Sequence, residues 1–281
     1  YSLVALGFVL IFKASGVFNF AQGAMVLFAA LSLVRLAEWM PLAAAFLLAA
    51  AIMVAVAFAI ERAVLRPLVG QPALILFMAT IGITFFLDGF GQMVWGADVY
   101  ALDLGIPASP WFILEDLFPG GIVLSPLDLF ATLVAGGLVV ALSVFFHATR
   151  IGRALRAVAD DHQAAQSVGI PLNQIWLIVW SVAGVVALVA GMAWGSKLGV
   201  QFSLAAVALK ALPVVILGGL TSVPGAIVGG LIVGAGEKLA EVYIGPSLGG
   251  GIENWFAYAL AMAVLLVRPQ GLFGERIIER I

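Results

Sequence analysis

Leu42 to Ile60 reads LAAAFLLAAAIMVAVAFAI, a run of 19 apolar residues with neither a charge nor a hydrogen-bonding side chain. As a helix rising about 1.5 Å per residue it reaches about 28 Å, close to the ~30 Å thickness of a bilayer's hydrocarbon core. A helix apolar on every side belongs inside a large protein or inside lipid. The remaining composition decides between the two. Of 281 residues, 64% are hydrophobic and 10% charged, against about 25% charged in soluble domains, and the mean hydropathy is +1.18. No chain of this length encloses so large an apolar surplus, so lipid must take it. Working outward, Ala14 to Val34, Leu129 to Phe146 and Gln174 to Gly195 are also free of formal charge, and Ala73 to Trp95 contains only Asp88. The fold predicted is all-α, a polytopic transmembrane helical bundle, with residues 1–281 as a single membrane domain.

The ends are less regular. Tyr1 to Phe12 is apolar but short, and it reads as the remainder of a helix whose start precedes the sequence. Between Ala211 and Gly236 stand Pro213, Pro224 and seven glycines from Gly218 to Gly236. Non-helical backbone at membrane depth survives only where protein or water satisfies it. A short or re-entrant helix is therefore expected over about 205–218, then a turn, a helix over about 225–243, and a last one over about 253–267. The expected total is eight or nine membrane segments.

Orientation follows the basic residues. Arg62 and Arg66, then Arg150, Arg153 and Arg156, then Arg268, Arg276 and Arg280 fall on one side, the predicted cytoplasmic side, which places the C-terminus there. The connection 96–127 has no Lys or Arg and carries Asp98, Asp103, Glu115 and Asp116, so it is predicted outside, with Tyr100, Trp111, Phe112 and Phe118 as candidate anchors for a soluble partner or for the membrane interface.

Composition also excludes chemistry. A net charge of −2 supplies no basic face for nucleic acid. With no cysteine and only His147 and His162, neither a thiolate nucleophile nor a metal site is expected. No GxxxxGK[ST] phosphate loop is present, so the chain is not itself an ATPase. The segment 150–170, RIGRALRAVADDHQAAQSVGI, reads as an amphipathic cytoplasmic helix ending near Gly169. Its apolar stripe lies outside the lipid and needs a membrane surface or a partner to cover it; a plain juxtamembrane anchor is the other reading.

Here the sequence becomes recognisable. GRALRAVADDHQAAQSVGI (152–170) closely resembles the cytoplasmic loop of permeases of the branched-chain amino acid ABC importers. GVFNFAQG (16–23) looks like that family's N-terminal signature, LGGLTSVPGAIVGG (217–230) resembles its glycine-rich C-terminal signature, and RPQGLFG (268–274) is similar to its ending. The matches occur in the family's order from residue 16 to residue 274. One position departs: the family often carries an acidic residue where this chain has Ala24. The resemblance implies a complex of two related permeases, two cytoplasmic ATPases that hold the ATP and magnesium, and a periplasmic or extracellular substrate-binding protein. It also implies location in a bacterial or archaeal cytoplasmic membrane and no cofactor on this chain.

Within that frame the helix at 150–170 is the expected ATPase-coupling element. Its apolar positions, Leu155 and Val158 among them, would fill a groove of the ATPase. Arg153, Arg156, Asp160 and Asp161 would set its orientation, Arg150 opens the coupling segment, and Gly152 and Gly169 mark its ends. Asn19, Gln22, Thr80, Thr84, Asp88 and Gln92 are the candidate substrate path; the last four recur every four residues along one stripe of a helix. Facing lipid, Asp88 would cost about 2.5–3.5 kcal/mol, so the stripe should face protein or water. Glu237 and Lys238 are expected to snorkel from a helix end, while Lys210 is either a pore or interface residue or a satisfied structural cation. Urea or short amides remain the alternative cargo, and an ion-coupled secondary transporter or channel the alternative class.

Overall fold

The structure, a computed structural model, describes residues 1–107, 109–113, 122–160 and 162–274. Of the sequence candidates, Glu115, Asp116, Phe118, Asp161, Arg276 and Arg280 lie outside them. Among the described residues, five helices are long and apolar enough to cross a bilayer, and four shorter apolar helices accompany them.

The run 42–60 forms α3 (Leu42–Ile60), and the way it packs explains its composition. Its buried positions are Ala45, Ala49, Met53, Ala57 and Ile60, one stripe of mostly small residues, while Leu47, Val54 and Phe58 point outward. In lipid, hydrophobicity cannot distinguish the two faces, and side-chain size does so instead, because small residues let helix backbones approach. The stripe lies against α2 (Gln22–Ala37) and α8 (Leu172–Leu198), where Gly184 meets Met53. Helix α8 is the central mast: α1 (Ser2–Ser15), α2 and α3 all pack on it. The small residues Ala183, Ala187, Gly191 and Gly195 serve packing within the chain, with Gly191 against Val26 and Ala30, and Gly195 against Val200.

Helix α4 (Ala73–Trp95) leans on α2, and α5 (Pro126–Ala148) stands at the edge, packed chiefly on α6 (Arg150–Asp160) and α8. A short α7 (His162–Ser167) precedes α8. After α8, a 3-10 turn (Phe202–Ala206) leads into α9 (Val207–Gly218), α10 (Val223–Tyr243), the one-turn α11 (Gly245–Leu248) and α12 (Phe256–Val267). Pro213 is accommodated inside the short α9. At the α9–α10 turn a Cβ on either Gly218 or Gly225 would strike the other's backbone, so only glycine permits that crossing. The ending RPQGLFG docks there: Leu272 and Phe273 donate N–H to the carbonyls of Leu217 and Gly218 at 2.8 and 3.0 Å.

One sequence expectation is sharpened and one needs correction. Within the uncharged run from Ala14, whose start is excepted from the expected helix, α1 ends at Gly16, with a φ of 67° that gives a left-handed cap, and α2 begins only at Gln22. A charge-free window detects membrane depth, not helix continuity. The all-α expectation also misses a small antiparallel hairpin in the 96–127 connection, β1 (Trp111–Ile113) with β2 (Ile122–Leu124). Trp111 and Phe112 are exposed on it, whereas Tyr100 is tied down by donating to the Trp95 carbonyl (2.7 Å), pairing with Val200 and receiving the Arg35 guanidinium 5.1 Å from its ring centroid.

Candidate functional site

The unwound stretch between α1 and α2 is held by side-chain hydrogen bonds. Asn19 and Gln22 are completely buried, and the Asn19 carboxamide accepts from Ala21 N–H (3.1 Å) while donating toward Gln22 Oε1 (3.4 Å). Thr80 of α4, also fully buried, accepts from Phe20 N–H (3.3 Å), and its hydroxyl lies 2.9 Å from the Phe77 carbonyl and 3.4 Å from that of Phe18. Asn19 and Thr80 satisfy backbone that no helix satisfies, while the buried Gln22 Nε2 has no partner among the described residues. Gln22 also lies against Gly7, where any Cβ would meet its carboxamide. Thr80→Val, nearly isosteric, leaves the Phe20 N–H without its acceptor and should cost about 1–3 kcal/mol. Thermal unfolding in detergent should show a lower midpoint for Thr80→Val and a near-normal one for Thr80→Ser.

The break opens a cavity. Phe8 and Phe20, Gly23 and Ala24, and Leu209 and Leu212 of α9 enclose about 260 Å³ together with Thr84, whose hydroxyl is returned to the Thr80 carbonyl at 3.0 Å. Of the six path candidates, then, Asn19, Gln22 and Thr80 build the break and Thr84 stands in the wall. Asp88 is half-buried with its Oδ1 enclosed and without a partner among the described residues, and Gln92 is exposed further along α4. Sequence reading passed over the apolar wall because Phe and Leu look alike in every span; Ala24, the position departing from the family signature, was the available signal. Its methyl leaves the cavity apolar where a carboxylate would make it acidic.

At the other candidate element, α6 is fixed to the end of α5. Thr149 caps the joint by donating to Phe145 O (2.6 Å) and accepting from Gly152 N–H (2.9 Å), and Arg156 donates to Phe146 O (2.6 Å). A Cβ on Gly152 would overlap the Phe145 and Phe146 carbonyls. Leu155 and Val158 are 2% and 0% exposed. Here the expectation fails: the apolar stripe is covered by the chain's own bundle, since α6 lies back on α1, α5 and α8. The face left open carries Arg150, Ile151, Arg153, Ala157 and Asp160, and beyond α7 come the exposed Val168 and Gly169, the latter with a φ of 86°.

A third cluster joins α9, α10 and α12. Glu237, 2% exposed, accepts from the Tyr1 hydroxyl (3.0 Å) and pairs with Lys210 (3.4 Å), which also donates to the Glu253 carbonyl (3.2 Å). Lys210 is thus a satisfied cation, and Glu237 does not snorkel. Lys238 is exposed and pairs with the Glu253 carboxylate. Among the described residues no group of His, Asp and Glu could hold a metal ion.

Comparison with known proteins gives this geometry its context. A family profile described as branched-chain amino acid transport system, permease component, matches residues 1–268. The high-affinity branched-chain amino acid transport system permease protein BraD of Pseudomonas aeruginosa is 30% identical, covering 100% of this chain and 94% of its own length. Its LivH counterpart in Salmonella typhimurium is 28% identical over 100% of this chain and 93% of its own length, and the probable LivH of Methanocaldococcus jannaschii is 28% identical over 97% and 88%. No solved structure matches. The ion-coupled transporter or channel is not favoured by these relatives. With its apolar helices and full-length match, the chain is a multi-pass helical membrane protein and belongs to the family of branched-chain amino acid transport permease components.

Proposed function

We propose that the chain carries branched-chain aliphatic amino acids through the cytoplasmic membrane as one of two related permease subunits. Two cytoplasmic ATPases, holding ATP and magnesium, drive it, and a periplasmic or extracellular binding protein delivers the cargo. The five long and four short apolar helices each cross or enter the bilayer, giving nine segments, with α9 among the short ones. The C-terminus then lies in the cytoplasm, on the side of the arginines at 62, 66 and 150–156. The exposed Trp111 and Phe112 of the outer hairpin offer aromatic contacts to the binding protein.

The cavity at the α1–α2 break carries this reading. Its wall of Phe8, Phe20, Ala24 and Leu209 suits an aliphatic side chain, while urea or a short amide would leave its donors unpaired there. Coupling runs through α6: its open face meets the ATPase, and the Thr149 and Arg156 bonds carry the displacement into α5, which has little other packing to resist it.

Thr84→Phe fills the cavity and tests the path. Overpacking of about 1–3 kcal/mol on the bound state corresponds to leucine uptake about 5- to 150-fold slower in liposomes holding the complete importer. Thr84→Ser should transport normally. Undiminished leucine uptake by Thr84→Phe, with the subunit inserted and paired, places the path elsewhere.

A further inference from the structure

The basic end of the bundle holds a second enclosed space, about 280 Å³, between α1, α5, α6 and the α9–α10 turn. Its polar lining is Lys13, Ser143, His147, Arg156, Thr221 and Ser222, with no carboxylate among the described residues that line it. Lys13 makes no hydrogen bond or ion pair among the described residues. Arg156 spends one guanidinium donor on Phe146 O, and its other N–H groups have no partner among the described residues. The N-terminus of the 21-residue α10 adds the Val223 N–H, since Pro224 has none and Gly225 N–H is taken by the Ser222 hydroxyl, together with the positive end of its dipole. Two cations, a hydroxyl and a helix N-terminus, unopposed by an acid, are the donor set of a phosphate site. The rest of the wall is apolar, with Leu10, Val139, Ile227 and Phe273. Phosphate chemistry at one end and hydrocarbon at the other is the pattern of an anionic lipid, and basic pockets between helices on this side of a membrane take such headgroups. Helix α5 admits one readily, since its opposite flank, against α3 and α8, is also unfilled by about 460 Å³.

We propose that this cavity binds a phosphate group, carried by an anionic phospholipid or free in solution, between Lys13 and Arg156. Bound there, the phosphate ties α6 to α1 and α10 and adds to the joint that the Thr149 bonds make with α5. The inference rests on the proposed orientation, which makes this end cytoplasmic, but not on the cargo or its path, because occupancy is measured without transport.

The test uses the complete importer in nanodiscs of phosphatidylcholine with and without phosphatidylglycerol, followed by native mass spectrometry of the released complex and a parallel titration with inorganic phosphate. Lys13→Gln should lower phosphatidylglycerol retention at least about tenfold, and Lys13→Arg, which keeps the charge, should restore it. If instead only inorganic phosphate binds, with the same dependence on Lys13, the source is free anion. Retention and phosphate binding that are equal in wild type and Lys13→Gln, or absent from the wild type, overturn the proposal.

Discussion

Glu237→Leu should destabilise the permease by about 3–5 kcal/mol, because it leaves the Lys210 ammonium among three helices without its counter-charge. Glu237 is buried and bridges α10 to α9 through Lys210, and Lys210 reaches the Glu253 carbonyl just before α12. In water a stranded lysine would swing out to solvent; in a span it must find another partner or carry the desolvation cost. The partner substitution is more informative than the single one. Lys210→Met combined with Glu237→Leu removes both charges, and such exchanges are often neutral or stabilising. Thermal unfolding of the detergent-solubilised subunit should therefore show a large loss for Glu237→Leu and recovery for the pair. Equal losses in both would mean that the ion pair contributes nothing specific, and that packing by the two side chains is what holds α9 to α10.

The location of this pair also shows how far sequence reading reached. Charge-free windows located α3, α4, α5 and α8 closely, because twenty apolar residues have few alternatives in a bilayer. The short α9 and the turn before α10 were legible from Pro213 and the glycines, which punctuate backbone directly. What could not be read was the neighbour of each face. Glu237 was expected to snorkel because it stands near a helix end; the structure surrounds that end with Tyr1, α9 and the loop before α12, which come from residues 236 positions before it and 27 before and 16 after it, distances no local pattern spans. The break at 16–21 was missed for the opposite reason. Its determinants, the Asn19 turn and Thr80, are polar contacts made by residues that look unremarkable within uncharged runs. The signature GVFNFAQG was correctly singled out, but its cavity wall consists of residues whose apolar type is shared with the entire membrane surface.

Leu155→Asp should do something different from what the amphipathic pattern of α6 suggests. Were Leu155 in an ATPase groove, the variant would insert and pair normally and lose only coupling. In the structure Leu155 is buried against the chain's own helices, one of the walls of the cavity that also holds Arg156 and Phe146. An aspartate there removes apolar contacts and buries a carboxylate, which should cost about 3–5 kcal/mol from the two effects together. The expected result is a subunit with lowered thermal stability, with loss of transport as a consequence. The outward face behaves in the reverse way. Ile151 and Arg153 are exposed, so Ile151→Asp with Arg153→Glu should leave the isolated subunit's unfolding within about 0.5 kcal/mol of wild type. If that face meets an ATPase, the same double substitution places two carboxylates in the contact and should separate ATP hydrolysis from leucine uptake in the reconstituted importer. The pair of measurements, unfolding of the subunit and uptake per ATP hydrolysed by the complex, sorts the two faces. Normal stability in Leu155→Asp would turn the helix over and restore the groove-filling reading. Normal coupling in Ile151→Asp with Arg153→Glu would move the ATPase contact away from α6 to the turn at 62–71, where Arg66 donates to the buried Glu61 in two bonds of 3.1 and 3.2 Å.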